Sequence, residues 1–475
     1  MTPMQKHTIL RLHLLALAAA LVAGCAVGPA YVRPTTPEPA AFKEAEGWVP
    51  AAPADALERG PWWQLFDDPV LNALADSIEI SNQNVAVAAA NYAAARALVQ
   101  QERAALFPTV SLGLGADRSG VRGQGADSAY RLNLGGSWEP DVWGRLRAGV
   151  TSAQASAEAS AADLASARLS AQGELAANYF SVRALDAGRA LLAQTIEGYE
   201  RELQITQNRY KVGIVARTDV LQAETQLANA RGDELGIRRQ RAQFEHAIAI
   251  LVGKAPSEFT LAPLPEWRVT VPVVPAGVPS LLLQRRPDIA AAERDVAAAN
   301  AEIGIARSAY FPNIGLSASL GTGGSRVSDL FSASSAAWSF GLSAAQSIFN
   351  AGATRASVAG AEARHQAAVA RYRQTVLTAF ADVEDQLTAV RVLELQQEQR
   401  RVASQAADRV EQQILNRYRA GQVSYSEVVQ AQATALNARR SLVQVQADRQ
   451  AAAVALIQAL GGGWRASGDA LQQAG

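Results

Sequence analysis

Residues that bind metal ions are scarce in this sequence. Its 475 residues include one cysteine, Cys25, and four histidines, of which His7 and His13 lie close to the N-terminus. No set of His, Cys or carboxylate residues shows the spacing of a metal site, so we expect no metal ion and no bound cofactor. The sequence also lacks a combination of nucleophile, base and oxyanion-stabilising group, which predicts that the protein is not an enzyme.

Excess charge of one sign and long hydrophobic runs are missing too. The 44 Lys and Arg residues equal the 44 Asp and Glu residues in number, and no basic block stands out. Nucleic acid is therefore excluded as a partner. Beyond the N-terminal segment no stretch reaches about 18 uninterrupted apolar residues, the length that a membrane-spanning helix needs. Any crossing of a membrane by the mature chain must be made by β-strands.

The single cysteine ends a signal-like segment. Lys6 and Arg11 precede a short apolar run over 12–23, and the run leads into VAGC, ending at Cys25. This pattern predicts a signal peptide over 1–24. VAGC resembles a bacterial lipobox, which implies a covalent lipid on Cys25, and Ala26 in place of Asp favours transport to the outer membrane. The alternative is an ordinary signal peptide followed by a chance cysteine.

The remaining chain contains one phrase twice. NRYKVGIVARTDVLQA over 208–223 matches NRYRAGQVSYSEVVQA over 416–431, and RAALFP at 103–108 matches RSAYFP at 307–312. Apolar residues after each phrase recur at alternating steps of three and four, the signature of a packed helix. We interpret the chain as two copies of one structural unit.

The pattern predicts the same order of elements in both copies: a helix, two strands, a very long helix, a tight turn and a return helix. The predicted helices span 70–104, 147–210 and 218–252 in the first copy, and 287–308, 353–418 and 426–460 in the second. Each middle helix has about 65 residues and would be about 100 Å long. That length suits a structure that reaches across a periplasm and exceeds a bilayer core of about 30 Å.

The predicted strands alternate apolar residues with small or polar ones. They cover about 109–117 and 130–138 in the first copy, and about 313–320 and 337–345 in the second, with loops over 117–129 and 321–335. Such segments are typical of transmembrane β-strands, and two soluble hairpins are the alternative. Four strands cannot close a barrel in lipid. A dimer would supply eight strands, and a trimer would supply twelve and leave a passage.

The chain resembles the TolC-like outer membrane efflux proteins, in their NodT-type lipoprotein branch. The resemblance rests on both repeated phrases and on four further motifs: CAVGPAYVRP (25–34), PWWQLFDDPVLNAL (61–74), RRPDIAAAERDVAAANAEIGIARSAYFP (285–312) and ALGGGW (459–464). It implies a mainly α protein with membrane β structure. A homotrimer would form a 12-stranded β-barrel in the outer membrane, continuous with a long periplasmic α-helical barrel.

The resemblance also assigns the domains. An N-terminal equatorial segment covers 25–67, and TolC-like repeats cover 68–254 and 287–463. A Pro-rich equatorial linker covers 255–286, and a C-terminal tail covers 464–475. The implied partners are outer membrane lipid, a periplasmic adaptor protein and an inner-membrane pump of the resistance-nodulation-division type.

The turns after the long helices are the implied site of docking. Gly213 and Gly421 stand where the long helices should end, and we expect both to need a positive φ. The resemblance makes these turns periplasmic tips, with Gly213, Val215, Gly421 and Val423 in contact with the adaptor. Two copies per chain would give six tips in a trimer.

A periplasmic gate is implied beside the tips. The resemblance places Asp219, Glu427, Gln430 and Tyr418 there, and Tyr418 could make a gating hydrogen bond. Asp219 and Glu427 also fit a role limited to helix starts, since Glu427 has capping-box spacing from Ser424. The family often has an acid where this chain has Gln430, which predicts a less acidic gate.

The predicted function is that of a passive trimeric duct in a tripartite efflux system. It would carry substrates from the adaptor and pump to the outside of a Gram-negative cell. Two alternatives are a duct for type I protein secretion and a periplasmic coiled-coil lipoprotein that forms no channel. The exported compounds do not follow from the sequence, because a passive duct takes its specificity from the pump.

Overall fold

The computed structural model describes residues 27–36, 43, 61–120, 126–267, 269–272, 286–332 and 336–462. The signal peptide predicted over 1–24, Cys25, the tail predicted over 464–475 and much of the predicted linker lie outside the described residues. The helices are α1 Pro69–Ser81, α2 Gln83–Ala104, α3 Arg145–Lys211, α4 Arg217–Leu251, α5 Pro287–Ser308, α6 Ala353–Arg419 and α7 Tyr425–Ala459. The strands are β1 Thr109–Gly120, β2 Ala126–Trp138, β3 Asn313–Gly324 and β4 Ala336–Ala345.

The two copies fold into matching elements. Helices α3 and α6 have 67 residues each, and α4 and α7 have 35 each. Helices α2 and α5 have 22 residues each. The second copy is longer between its first strand and its long helix, where it contains a short 3-10 helix at Val327–Phe331. Within the described part of the chain, no helix has the apolar length needed to span a bilayer.

The single helix predicted over 70–104 is wrong, because Asn82 interrupts it. Asn82 has extended backbone, and its N–H donates to the Ile78 carbonyl at 3.2 Å to close α1. Its Oδ1 accepts from the Val85 N–H at 3.0 Å and so caps α2. Its Nδ2 donates to the Leu251 carbonyl at 2.8 Å. The polar stretch SNQN at 81–84 marks the break, but apolar residues resume at Val85 after about one helical turn, so the periodicity on either side did not reveal it.

The four strands form one antiparallel sheet in the order β1-β2-β3-β4. The predicted alternation is confirmed by the register, which pairs Leu112 with Leu134 on one face and Ser319 with Ser339 on the other. The Ser319 and Ser339 hydroxyls are 2.8 Å apart. Large apolar side chains lie exposed on the first face: Val110, Leu112, Leu114, Trp338, Phe340 and Leu342. In the part of the chain that the structure describes, β1 and β4 each pair along one edge only.

The strands extend further than predicted. Strand β1 continues from 117 to Gly120 and β2 begins at Ala126, so most of the loop predicted over 117–129 is wrong. The apolar alternation fades in this stretch, but ladder hydrogen bonds use backbone atoms and do not require it. Arg131 and Asp117 form an ion pair on the polar face at 2.5 Å.

Two compact units contain the described residues. One lies within 1–36, 90–161 and 291–374 and includes the sheet, and the other lies within 37–89, 162–290 and 375–475. The core of the second unit combines aliphatic residues with a group of aromatic ones, in which the Phe66 and Phe180 ring centroids are 4.9 Å apart. Trp62 is also buried there, in a 3-10 helix that precedes α1.

A buried ion network fixes the start of the linker in this second unit. Arg241 Nε donates to Asp186 Oδ1 at 2.6 Å, and the other carboxylate oxygen accepts from the Leu264 N–H at 3.0 Å. Arg183 Nη1 donates to the Ala262 carbonyl at 2.7 Å. Because the charges are paired and hydrogen-bonded, their burial is compatible with a stable fold.

Replacing Asn82 by Ala should destabilise the second unit. The change removes the cap of α2 and leaves the Leu251 carbonyl without its donor, which together cost about 2 kcal/mol. Asn84→Ala is the matched control, because Asn84 is exposed on the same helix. Circular dichroism of the detergent-solubilised protein should show a lower unfolding temperature for Asn82→Ala alone. Equal unfolding temperatures for the two variants would contradict this role of Asn82.

Candidate functional site at the helical turns

Two turns of the same geometry join the long helices to the return helices. Gly213 has φ +76° and Gly421 has φ +74°, which confirms the predicted positive φ. The Gly213 N–H donates to the Tyr210 carbonyl and the Ile214 N–H to the Arg209 carbonyl, both at 2.9 Å. The second turn makes the equivalent two bonds at 2.9 Å, from Gly421 to Tyr418 and from Gln422 to Arg417. Both turns are thus Schellman-type helix ends.

The turns are open on their outer side. A Cβ atom added to Gly213 or Gly421 would meet no atom within 4 Å, so backbone conformation is what restricts these positions to glycine. Val215 and Val423 are half-buried. Lys211 and Arg419 occupy the last helical turns, where a cation favours the helix dipole.

The two return helices begin differently. In α7 the N–H of the N-cap residue Ser424 donates to Glu427 Oε1 at 3.2 Å, which confirms the predicted capping box. Helix α4 begins at Arg217, one residue before the predicted start. Its N-cap is Ala216, which has no side-chain acceptor, and Asp219 lies in the first turn. The Asp219 carboxylate there favours the helix dipole.

The predicted gate residues fall into two environments. Glu427 and Gln430 are exposed and Asp219 is half-buried, all at helix starts. Tyr418 is only 4% exposed, and its ring centroid lies 5.3 Å from that of Tyr425. Asp219, Glu427 and Gln430 are therefore at least partly accessible to solvent, whereas the Tyr418 side chain is buried.

Tyr418 is held by ring contacts. The Arg209 guanidinium carbon lies 4.9 Å from the Tyr418 ring centroid, a cation–π contact. Among the described residues its buried hydroxyl has no hydrogen-bond partner. Tyr210, the equivalent residue of the first copy, is 41% exposed. The two tyrosines that the repeat equates thus differ in environment.

An ion pair between the long helices, buried only at its Glu202 end, was missed by the sequence reasoning. Arg419 Nη2 donates to Glu202 Oε1 at 3.1 Å, and the Glu202 side chain is 9% exposed. Burial, with the Glu202 charge nearby, raises the pKa of Tyr425 well above its usual range. The repeat gave no signal for this pair, because the residue equivalent to Glu202 in the second copy is Val410.

The site therefore offers helix ends, an aromatic cluster and surface charge. Among the described residues no group of His, Cys, Asp and Glu side chains could hold a metal ion. The arrangement can present two turns to a partner, and it places carboxylates at the starts of the return helices.

Replacing Tyr418 by Phe should leave the second turn intact, whereas Tyr418→Ala should loosen it. Phe keeps the contacts with Tyr425 and Arg209, while Ala leaves a cavity that costs about 3–5 kcal/mol. Trypsin cleavage after the exposed Arg417 and Arg419, followed by mass spectrometry, measures this directly. Cleavage of Tyr418→Phe as fast as that of Tyr418→Ala would show that the hydroxyl makes an essential bond, as a gating role requires.

Known proteins resemble the chain over nearly its whole length. The family model described as outer membrane efflux protein matches residues 74–254 and 278–462. The toluene efflux pump outer membrane protein TtgC of Pseudomonas putida is 34% identical over 97% of this chain and 97% of its own length. The pyoverdine export outer membrane protein OpmQ of Pseudomonas aeruginosa is 32% identical, with 89% of this chain and 92% of OpmQ covered.

A solved structure gives the same result for the fold. The outer-membrane channel OprN superposes with a TM-score of 0.83 at 30% identity, covering 93% of this chain and all of that chain. The resemblance inferred from the sequence motifs is thereby confirmed. The chain belongs to the outer membrane efflux protein family and is an outer membrane component of an efflux system with the TolC-like channel fold.

Proposed function

We propose that three copies of this chain form a passive duct through the outer membrane. The observation that carries the proposal is the four-stranded sheet, which has one apolar face and two edges, on β1 and β4, that no strand among the described residues pairs. Three sheets joined edge to edge supply twelve strands and satisfy both edges of each copy. Twelve strands leave a lumen, whereas the eight strands of a dimer would be nearly filled by side chains.

The two faces of the sheet fit lipid and water. Leu112, Leu114 and Phe340 belong to the exposed apolar face, which suits contact with lipid. The opposite face carries small or polar residues, among them Ser111, Gly113, Asn133, Ser317, Ser319 and Gly341. Small polar side chains suit a water-filled passage.

The proposed partners are a periplasmic adaptor protein and an inner-membrane pump of the resistance-nodulation-division type. The adaptor contacts the two turns through Gly213, Val215, Gly421 and Val423. Rigid glycine turns with open outer surfaces support this assignment. The names of TtgC and OpmQ, which refer to toluene efflux and pyoverdine export, favour efflux of small molecules over type I protein secretion.

The proposed function can be tested by deleting the gene and by measuring the conductance of the purified protein. Cells without the gene should become more sensitive to hydrophobic antibiotics and solvents, and a plasmid copy should restore resistance. The purified protein should migrate as a heat-sensitive trimer and conduct ions in planar bilayers. A monomer that conducts no current would favour the coiled-coil scaffold.

We also propose that Cys25 carries the lipid anchor. The residues that follow it are fixed to the unit containing the sheet. The Val27 N–H donates to the Trp143 carbonyl at 3.4 Å, and Asn300 Nδ2 donates to the Pro29 carbonyl at 3.0 Å. Trp143 follows closely on β2, and two residues of chain reach only about 7 Å. A lipid on Cys25 would therefore lie near the end of the sheet.

Radioactive palmitate should label the wild-type protein and not Cys25→Ser. Cys25 is the sole thiol of the sequence, so the variant removes every sulfur atom of a cysteine to which lipid could be joined. Ala26→Ser is the matched control and should still be labelled. Absence of label from the wild type would contradict the lipobox interpretation, and Cys25→Ser trimers should still reach the outer membrane through the sheet.

The gate is proposed to lie at the starts of the return helices. In a trimer, three copies each of Asp219 and Glu427 surround the periplasmic opening, with Gln430 beside them and Tyr418 packed beneath. Like charges around a narrow opening raise the local concentration of cations. Gln430 contributes no charge, so the ring is less acidic than the family often has.

The double change Asp219→Asn with Glu427→Gln should lower cation preference in planar-bilayer recordings. It should also weaken block by multivalent cations, because it removes six carboxylates from the opening of each trimer. The amides keep the side-chain shape and cost about 0.3–1 kcal/mol at the helix starts. Circular dichroism and trimer yield establish that the variant is folded.

The control is Glu197→Gln with Glu398→Gln, which removes two exposed carboxylates from α3 and α6. It should retain the wild-type reversal potential. Intact gate-variant trimers with the wild-type reversal potential and sensitivity to block would show that Asp219 and Glu427 serve only as helix caps.

A further inference from the structure

The two turns share a backbone but differ in surface chemistry. In the first turn Val212 and Ile214 flank the glycine and are 69% and 64% exposed. In the second turn the equivalent residues are Ala420 and Gln422. The large apolar side chains of Val and Ile are unfavourable in contact with water, whereas the small side chain of Ala and the polar side chain of Gln are favoured at exposed positions.

The tyrosine beside each turn also differs between the two turns. Tyr210 is 41% exposed, whereas Tyr418 is buried against Tyr425. Together Tyr210, Val212 and Ile214 form an exposed group on one turn, which we call the first-turn patch. Within the described residues, no hydrophobic cluster includes a residue of this patch.

Charge around the turns also differs. Lys211, between Tyr210 and Val212, and Arg217, at the start of α4, are both exposed. In the second turn Arg419 donates to the buried Glu202, and the position equivalent to Arg217 is the buried Tyr425. The first turn therefore presents exposed apolar side chains together with Lys211 and Arg217, and the second presents a polar surface on which Arg417 is exposed and Arg419 is paired with Glu202.

We propose that the first turn supplies most of the affinity for the periplasmic adaptor, by binding an apolar adaptor surface bordered by carboxylates. The proposal rests on the proposed function, since it assumes that an adaptor binds these turns. An apolar centre within a polar rim is the usual anatomy of a protein interface. Opposite charges at the rim speed association and make binding sensitive to salt.

The repeat itself provides the matched variants. Val212→Ala with Ile214→Gln gives the first turn the side chains of the second, and Ala420→Val with Gln422→Ile does the reverse. Both leave Gly213 and Gly421 in place, so the backbone of each turn is preserved. The probes are the periplasmic adaptor proteins of the native cell, each purified without its membrane anchor, binding to immobilised trimers.

The first pair of changes should weaken adaptor binding at least tenfold, which corresponds to about 1.4 kcal/mol. The reverse pair should strengthen binding. Lys211→Gln with Arg217→Gln should reduce the salt dependence of association, and Arg201→Gln with Arg401→Gln, on the exposed surface of α3 and α6, serves as the charge control. Efflux measured by antibiotic susceptibility should follow the binding constants.

Two results would overturn the proposal. Wild-type affinity in the Val212→Ala with Ile214→Gln variant would show that the first-turn patch is not the main contact. Loss of trimer yield in that variant would show instead that a neighbouring copy of the chain covers the patch. Failure of the wild-type trimer to bind any adaptor is a different result, because it rejects docking at the turns altogether.

Discussion

Backbone hydrogen bonding at the edges of the sheet is the constraint on which the rest of this structure depends. Strands β1 and β4 each have one edge that no other described strand pairs, and the sheet exposes an apolar face that suits lipid. Hydrocarbon offers no partners to backbone N–H and C=O groups, so a sheet in a membrane must find them in other copies. The proposed trimer, and through it the proposed duct, would meet that requirement.

The duplication supplies the remaining architecture. Because both copies contain a 67-residue helix and a 35-residue return helix, each chain contributes two equivalent helical hairpins. The copies differ where the chain must connect them. The ion pair itself is repeated, because Arg449 and Glu394 of the second copy occupy the positions of Arg241 and Asp186 and also bond. The first-copy pair additionally fixes the start of the linker, through the Leu261 carbonyl and the Leu264 N–H.

The turns show how a repeated backbone can carry different surfaces. Schellman geometry at Gly213 and Gly421 depends on a positive φ and on backbone hydrogen bonds, so the neighbouring side chains can vary without changing the turn. The second turn has a capping box, a buried tyrosine pair and an ion pair. The first turn has exposed apolar side chains and cations.

The sequence by itself determined the duplication, the long helices, the alternation of the strands and the two glycine turns. Each of these features can be recognised from a local sequence pattern or from the backbone preference of a single residue. It missed the break at Asn82, because the bond that fixes that residue reaches the distant Leu251 carbonyl. It also missed the strand ends beyond 117 and before 130, where ladder bonds continue without an apolar pattern. Tertiary structure alone decided that Tyr418 is buried while Tyr210 is exposed, and that Arg419 meets Glu202. The contacts of Tyr418 with Arg209 and of Arg419 with Glu202 join helices far apart in the chain, so packing sets their geometry. A repeated local phrase contains no information about such packing.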